Sequence, residues 1–125
     1  MRLGKVLVVD DELEVRQVLR EFLSNRGYDV TTASGGAEAV AIVETIKPDL
    51  ILLDVAMPDM DGVETLKRIV AIEPALAVIM VTANADIGTT SKLLALGAVD
   101  YVPKPFDLDY LDQAVSTQVT AAQDR

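Results

Sequence analysis

Five polar side chains in this aliphatic-rich chain stand where chemistry is possible: Asp10, Asp11, Asp54, Thr82 and Lys104. Asp54 ends the run Leu50-Ile51-Leu52-Leu53, which has no polar alternation and so reads as a strand buried on both faces; Met57-Pro58 and Asp61-Gly62 then force a loop. A carboxylate where a buried strand meets solvent keeps its charge only if a cation or hydrogen-bond donors meet it. Taken singly, Asp54 reads more readily as a turn cap, Asp11 as a helix cap, Thr82 as a polar strand end and Lys104 as a solvated loop residue. Their shared position, each just past an apolar run, is what sets them apart.

Two like charges about 4 Å apart repel by roughly 4 kcal/mol at an effective dielectric near 20. Three carboxylates gathered at one place therefore call for a divalent cation. A hard ion with oxygen ligands and open positions fits Mg²⁺ and would accept a phosphoryl group. With Lys104 as a second cation and Thr82 as a donor, the set suits charge developing on a phosphoryl transferred to Asp54. Phosphoryl transfer depends mainly on positioning and charge neutralisation, so it needs neither His nor Cys.

Five strand-helix units position these groups. Val6 to Val9 is a β-branched run ending in Asp10-Asp11-Glu12. In the helix that follows, Val15, Val18, Leu19, Phe22 and Leu23 form an apolar face, Glu12 can pair with Arg16, and Gly27 supplies the stop. Tyr28 to Ala33 is a more polar strand, expected at the sheet edge. Ser34 offers an N-cap to a second helix with Ala39, Ile42, Val43 and Ile46 on one face, ending at Lys47-Pro48. After the Asp54 strand, Val63, Leu66, Ile69 and Val70 line a third helix that Glu73-Pro74 terminates. Ala75 to Val81 is the fourth strand, ending in Thr82. A fourth helix is expected over Asp86 to Leu96, although Gly88-Thr89-Thr90-Ser91 are poor helix formers. Val99 to Val102 is a short fifth strand, and Asp107 caps a last helix with Leu108, Leu111, Val115 and Val119 on one face, where Asp107, Asp109 and Asp112 suit the positive end. Strands alternating with helices imply a doubly wound (βα)5 fold: a parallel five-stranded sheet covered on both faces, flavodoxin-like, in the order 2-1-3-4-5. All strand exits then face one rim, where Asp10, Asp11, Asp54, Thr82 and Lys104 converge.

Length and composition narrow the function classes. The 125 residues, without repeat or linker, are expected to form one domain spanning 1–125. With no Trp, three Tyr and two Phe, the core must be aliphatic, which favours a parallel sheet over an aromatic-rich sandwich. Twenty acids against eleven bases give a net charge of −9, which argues against direct nucleic-acid binding. No Cys and no His are present, which excludes disulfides, thiol chemistry, Ser-His-Asp triads and the usual zinc sites. The longest apolar run, Ala75 to Val81, is too short to span a bilayer and the N-terminus has no cleavage-site pattern, so the cytoplasm is the expected location.

The sequence resembles a two-component response-regulator receiver domain from Val6-Leu7-Val8-Val9-Asp10-Asp11-Glu12, through Asp54-Val55-Ala56-Met57-Pro58-Asp59-Met60-Asp61-Gly62, to Gly97-Ala98-Val99-Asp100-Tyr101-Val102-Pro103-Lys104-Pro105-Phe106. The resemblance implies that Asp54 is the phospho-acceptor, receiving its phosphoryl group from a sensor histidine kinase, a phosphotransfer protein or a small phosphodonor. It implies that Asp10 and Asp11, with Asp54 and the backbone carbonyl of Ala56, hold Mg²⁺. Thr82 corresponds to the hydroxyl that moves to the phosphoryl group, Lys104 to its ion-pair partner, and Tyr101 to an aromatic that changes rotamer on activation. The Lys104-Pro105 peptide is expected to be cis, which only about 5 to 6% of X-Pro bonds are. The neighbours that tune phosphoryl lifetime in the family are here the uncharged Ala56 and Asn84; with the small Ala83 beside Thr82, an open site follows.

A phosphoryl group adds roughly two negative charges, which Thr82 and Lys104 can answer. The weak Gly-Thr-Thr-Ser start of the fourth helix makes it the expected bistable element, and the surface of helix four, strand five and helix five the output face. That face would control a partner, a homodimer or an output domain; this chain has no residues left for an effector, so a stand-alone receiver and a piece of a longer regulator stay equally open. On this reading the protein is not an enzyme beyond its own phosphorylation and dephosphorylation. Two rivals differ in class. An aspartyl-nucleophile hydrolase would need a second acid beside Asp54, which neither Val55 nor Ala56 provides, and would turn over a generic phosphomonoester. A docking-only pseudo-receiver would not need Asp10, Asp11, Asp54, Thr82 and Lys104 and would fail to bind Mg²⁺.

Overall fold

A computed structural model describes residues 3–57, 60–83 and 87–123. The chain alternates β1 (Gly4–Val9), α1 (Leu13–Asn25), β2 (Tyr28–Ala33), α2 (Gly36–Thr45), β3 (Leu50–Asp54), α3 (Gly62–Ile72), β4 (Ala77–Thr82), α4 (Ile87–Ala95), β5 (Asp100–Pro103) and α5 (Leu108–Gln123). The strands form one parallel sheet in the order β2-β1-β3-β4-β5, the topology expected from sequence, with the polar β2 at an edge.

The unbroken apolar runs have a direct cause in this topology. Alternate residues of each central strand enter two separate cores. Leu7, Val9, Ile51, Leu53, Val78 and Met80 pack toward α2, α3 and α4, where Ala39, Val43, Leu66, Ile69 and Leu93 meet them. Val6, Val8, Leu50, Leu52, Ile79 and Val81 pack toward α1 and α5, against Leu19, Leu23, Leu111, Val115 and Val119. With helices on both faces neither set can be polar. Burying each such side chain contributes about 1.5–3 kcal/mol, and that anchors the register that brings the strand ends level: Val9 pairs with Leu53, Asp54 with Val81, and Thr82 with Pro103.

Several local expectations are corrected. Gly35, not Ser34, is the N-cap of α2, because the Ser34 hydroxyl donates instead to the Glu38 carboxylate at 3.2 Å. Val18, Ile46 and Leu108, placed on apolar faces by spacing, are substantially exposed. Two lie at helix ends, and Val18 flanks the buried stripe of Leu19 and Leu23 without entering it. The β4 strand begins at Ala77 rather than Ala75, and β5 runs Asp100–Pro103 rather than from Val99. Gly27 ends α1 at φ +102°, a left-handed conformation that favours glycine. Asp107 caps α5 as expected, its Oδ1 accepting from the N–H groups of Asp109 and Tyr110. The expected first residue of the fourth helix, Asp86, and the site neighbour Asn84 lie outside the described residues. Among those described, no helix is long and apolar enough to cross a membrane.

Candidate functional site

The carboxyl ends of β1, β3, β4 and β5 deliver the candidate residues. Asp10 follows the last residue of β1 and is buried; its N–H donates to the carbonyl of Ala33, tying the strand end to β2 at 3.2 Å. Asp54 is the last residue of β3 and is only 4% exposed. Thr82 closes β4, also buried, and its carbonyl accepts from the Lys104 N–H at 2.8 Å. That backbone bond carries the β4–β5 pairing past Pro103 and holds the start of the Lys104 side chain over the strand ends. The Lys104–Pro105 peptide is cis, as the resemblance implies.

Lys104 joins the two buried acids. Its Nζ lies 3.2 Å from Asp10 Oδ2 and 3.5 Å from Asp54 Oδ1. The other Asp10 oxygen, Oδ1, accepts from the Glu12 N–H at 2.9 Å, while the Asp10 carbonyl accepts from Arg16 Nη1 at 2.7 Å. Asp54 Oδ1 also accepts a long 3.4 Å bond from the Ala56 N–H. Burial, and next the charge of Asp10, push the Asp54 carboxyl up to about 6, against the opposing pull of Lys104 and the Ala56 N–H. For Lys104, burial acts to lower the ammonium's pKa. Its bonds and proximity to Asp10 and Asp54 outweigh that and raise it.

Asp11 is exposed at the rim. Carboxylate oxygens of Asp10, Asp11 and Glu12 lie within 4.8 Å of one another, so Glu12 joins the expected acidic pair in a tight trio. Asp54 reaches this trio through Lys104. Four carboxylates against one shared ammonium leave an excess of hard oxygen donors, a set that fits Mg²⁺ in chemistry. Tyr101 is half-buried against the core on the α2–α3–α4 side, with its ring at the edge of a surface cavity. Ala56 and Ala83 are exposed, consistent with an open site.

Two contributors were not legible in the sequence. Arg16 aims its guanidinium at the Asp10 carbonyl rather than at Glu12, which fixes the start of α1 against the end of β1. Gly62 donates its N–H to the Val55 carbonyl at 2.8 Å, closing the loop after β3, and a Cβ on it would press into the Asp54 carbonyl oxygen and the Val55 Cα. Asp61 caps α3 just before it, accepting from the Glu64 N–H at 2.8 Å. The Asp-Gly pair was legible as a chain breaker only.

The comparisons with known proteins agree with this geometry. The family description "Response regulator receiver domain" matches residues 6–116. The chain is 40% identical to sporulation initiation phosphotransferase F of Bacillus subtilis (strain 168), over 89% of this chain and 90% of that protein. It is also 40% identical to regulatory protein AtoC of Escherichia coli (strain K12), over 90% of this chain but only 24% of that protein, so it spans about a quarter of that longer relative. The crystal structure of a response regulator receiver domain protein (CheY-like) from Methanospirillum hungatei JF-1 superposes with a TM-score of 0.90 at 28% identity, covering 96% of each chain. The chain thus belongs to the response regulator receiver domain family of two-component signalling, a regulatory domain rather than a conventional enzyme.

Proposed function

We propose that this domain accepts a phosphoryl group on Asp54 and passes the event to its α4–β5–α5 face. The observation that carries the reading is the buried Asp54 carboxylate at the carboxyl end of β3, 3.5 Å from Lys104 Nζ and facing the acidic trio across it. In the covalent step an Asp54 carboxylate oxygen attacks phosphorus, an O–P bond forms, and the donor's bond to phosphorus breaks with its electron pair leaving on the donor atom. That donor is a phosphohistidine of a sensor kinase or phosphotransfer protein, or a small acyl phosphate. Asp10 and Asp11, with Asp54 and the Ala56 carbonyl, are the residues assigned to hold Mg²⁺, which supplies charge neutralisation at the phosphoryl oxygens.

Lys104 then pairs with a phosphoryl oxygen, exchanging a carboxylate partner for a more highly charged one. Thr82, buried at the neighbouring strand end, supplies the hydroxyl donor. Tyr101, one strand over, is the assigned reporter of that movement on the face formed by α4, β5 and α5. Homodimerisation on phosphorylation is one form the output takes, a bound partner another.

Intact mass after incubation with acetyl phosphate and Mg²⁺ tests the reading. The expected result is one added phosphoryl group, absent in Asp54→Asn and absent when metal is chelated. No gain while Mg²⁺ demonstrably binds would overturn it.

A further inference from the structure

Tyr110, 45% exposed in the first turn of α5, stands between two surface hollows. One, of about 320 Å³, is lined by Tyr101, Val102, Pro103, Pro105, Asp107 and Tyr110. The other, of about 210 Å³, lies beyond the same ring among Asp100, Gln113, Ala114 and Thr117. Each hollow thus has an apolar or aromatic wall and one carboxylate. Both carboxylates are held in place by backbone N–H groups through a single oxygen: Asp107 Oδ1 accepts from Asp109 and Tyr110 at 3.0 and 3.2 Å, and Asp100 Oδ1 from Tyr101 at 2.8 Å. A pinned carboxylate loses little further freedom when a cation meets it, so this geometry is pre-organised.

The charge balance around the notch is one-sided. The α5 helix contains no Lys or Arg in its sixteen residues, and β5 contains none either. Lys104 is committed to Asp10 and Asp54. Asp112 turns away to Arg26 of α1 at 3.6 Å. Asp100, Asp107 and Asp109 have no ion-pair partner among the described residues, and the charge of Asp100 leads in pushing the Tyr110 phenol upward. Val99 and Leu108, adjoining Asp100 and Asp107 in the chain, add exposed apolar surface.

We propose that the Tyr110 notch binds a basic peptide segment of a partner protein, an apolar side chain seating between Tyr101 and Tyr110 while flanking Lys or Arg side chains meet Asp107 and Asp100. A second copy of this face fits poorly, since it would set these carboxylates against their own counterparts with no α5 cation to answer. That the contact carries a signal rests on the proposed α4–β5–α5 output; that the notch binds does not.

The test uses the full chain and a short fluorescent peptide of Leu and Lys at helical spacing, beside one with Glu replacing Lys. Binding is measured by anisotropy for the wild type, Asp100→Asn/Asp107→Asn, Tyr110→Ala and, as a control of equal charge change on α1, Glu14→Gln/Glu21→Gln. Asn retains the side-chain oxygen that accepts from the backbone, so the notch variant keeps its cap. The expected result is affinity lowered about tenfold or more by the notch variants and changed less than about twofold by the α1 control, with no binding of the Glu peptide. Equal losses in both double variants would show diffuse attraction to the acidic chain and overturn the proposal. So would a concentration-dependent dimer abolished by Tyr110→Ala. Repeating the titration with acetyl phosphate and Mg²⁺ separates the two readings: notch-dependent affinity identical in both states leaves the site standing and overturns the output role.

Discussion

Lys104 Nζ stands 3.5 Å from Asp54 Oδ1 while also touching Asp10 Oδ2 at 3.2 Å, so one ammonium holds two buried carboxylates. Replacing it with an apolar chain of similar length leaves like charges facing each other. In Lys104→Met, Asp54 should titrate above the value of about 6 that it has with Lys104 present, because the lysine pulls that value down. Carboxyl-carbon NMR across a pH series would read this. Stability should fall by about 2 kcal/mol in urea without metal, the cost of a lost charge-assisted contact, and phosphoryl-group yield should fall with it. An unchanged Asp54 titration would mean the contact does not govern the site.

The same crowding makes Asp54 a liability to the metal-free fold. Its carboxyl sits at about 6 rather than 3.8, chiefly through burial and then the charge of Asp10. The folded state therefore binds this proton more tightly than the unfolded chain. Stability falls as pH rises from about 4 to about 6, by roughly 3 kcal/mol in total, and stays low above that. Asp54→Asn removes the penalty. In chelator, its thermal midpoint should exceed wild type at pH 8, with the gap closing near pH 4 and narrowing when Mg²⁺ is added. A gap of equal size at both pH values would place the effect elsewhere.

The sheet and the rim are legible because a strand covered on both faces leaves an unbroken apolar run, as in Leu50 to Leu53, and such a run must end where its first polar side chain appears. That logic places Asp10, Asp54 and Thr82 without reference to any neighbour. What neighbours do to a local signal is another matter. Ser34 has a cap residue's chemistry, yet Glu38 takes its hydroxyl and Gly35 becomes the cap. Arg16 is spaced to meet Glu12, yet the Asp10 carbonyl lies within its reach. The Lys104–Asp10 bond joins residues 94 apart in the chain, and only the shared rim of a parallel sheet makes it inferable.

Asp61 offers a test that separates helix stability from the site. Its Oδ1 accepts from the Glu64 N–H at 2.8 Å and caps α3. Asp61→Ala should cost about 1 kcal/mol by urea unfolding. The Asp61 backbone carbonyl, which accepts from the Thr65 hydroxyl and N–H, is untouched by the change. Phosphorylation by acetyl phosphate should therefore stay within about twofold of wild type. A much larger loss would show that the carboxylate itself serves the site.

Gly62 offers the complementary test, in which the site suffers more than the fold. It begins α3, where alanine is ordinarily the better helix former by about 1 kcal/mol. Its φ is not in the left-handed region, so no backbone strain opposes the change. The obstacle is contact: an added Cβ would run into the Asp54 carbonyl oxygen and the Val55 Cα, which are backbone and cannot swing aside. The segment bearing Asp54 and Ala56 must then move away from α3, and the 2.8 Å bond from the Gly62 N–H to the Val55 carbonyl must stretch. Overpacking of this kind costs about 1–3 kcal/mol, partly offset by the helix preference, so Gly62→Ala should stay folded. A displacement near 1 Å at a reacting group costs on the order of a hundredfold in rate, so phosphoryl transfer to Asp54 should slow far more than stability alone would explain. Stopped-flow phosphorylation alongside urea unfolding reads both quantities. A variant with normal transfer rates would show that the loop relaxes without moving the carboxylate, and Gly62 would then be a packing residue rather than a positioning one.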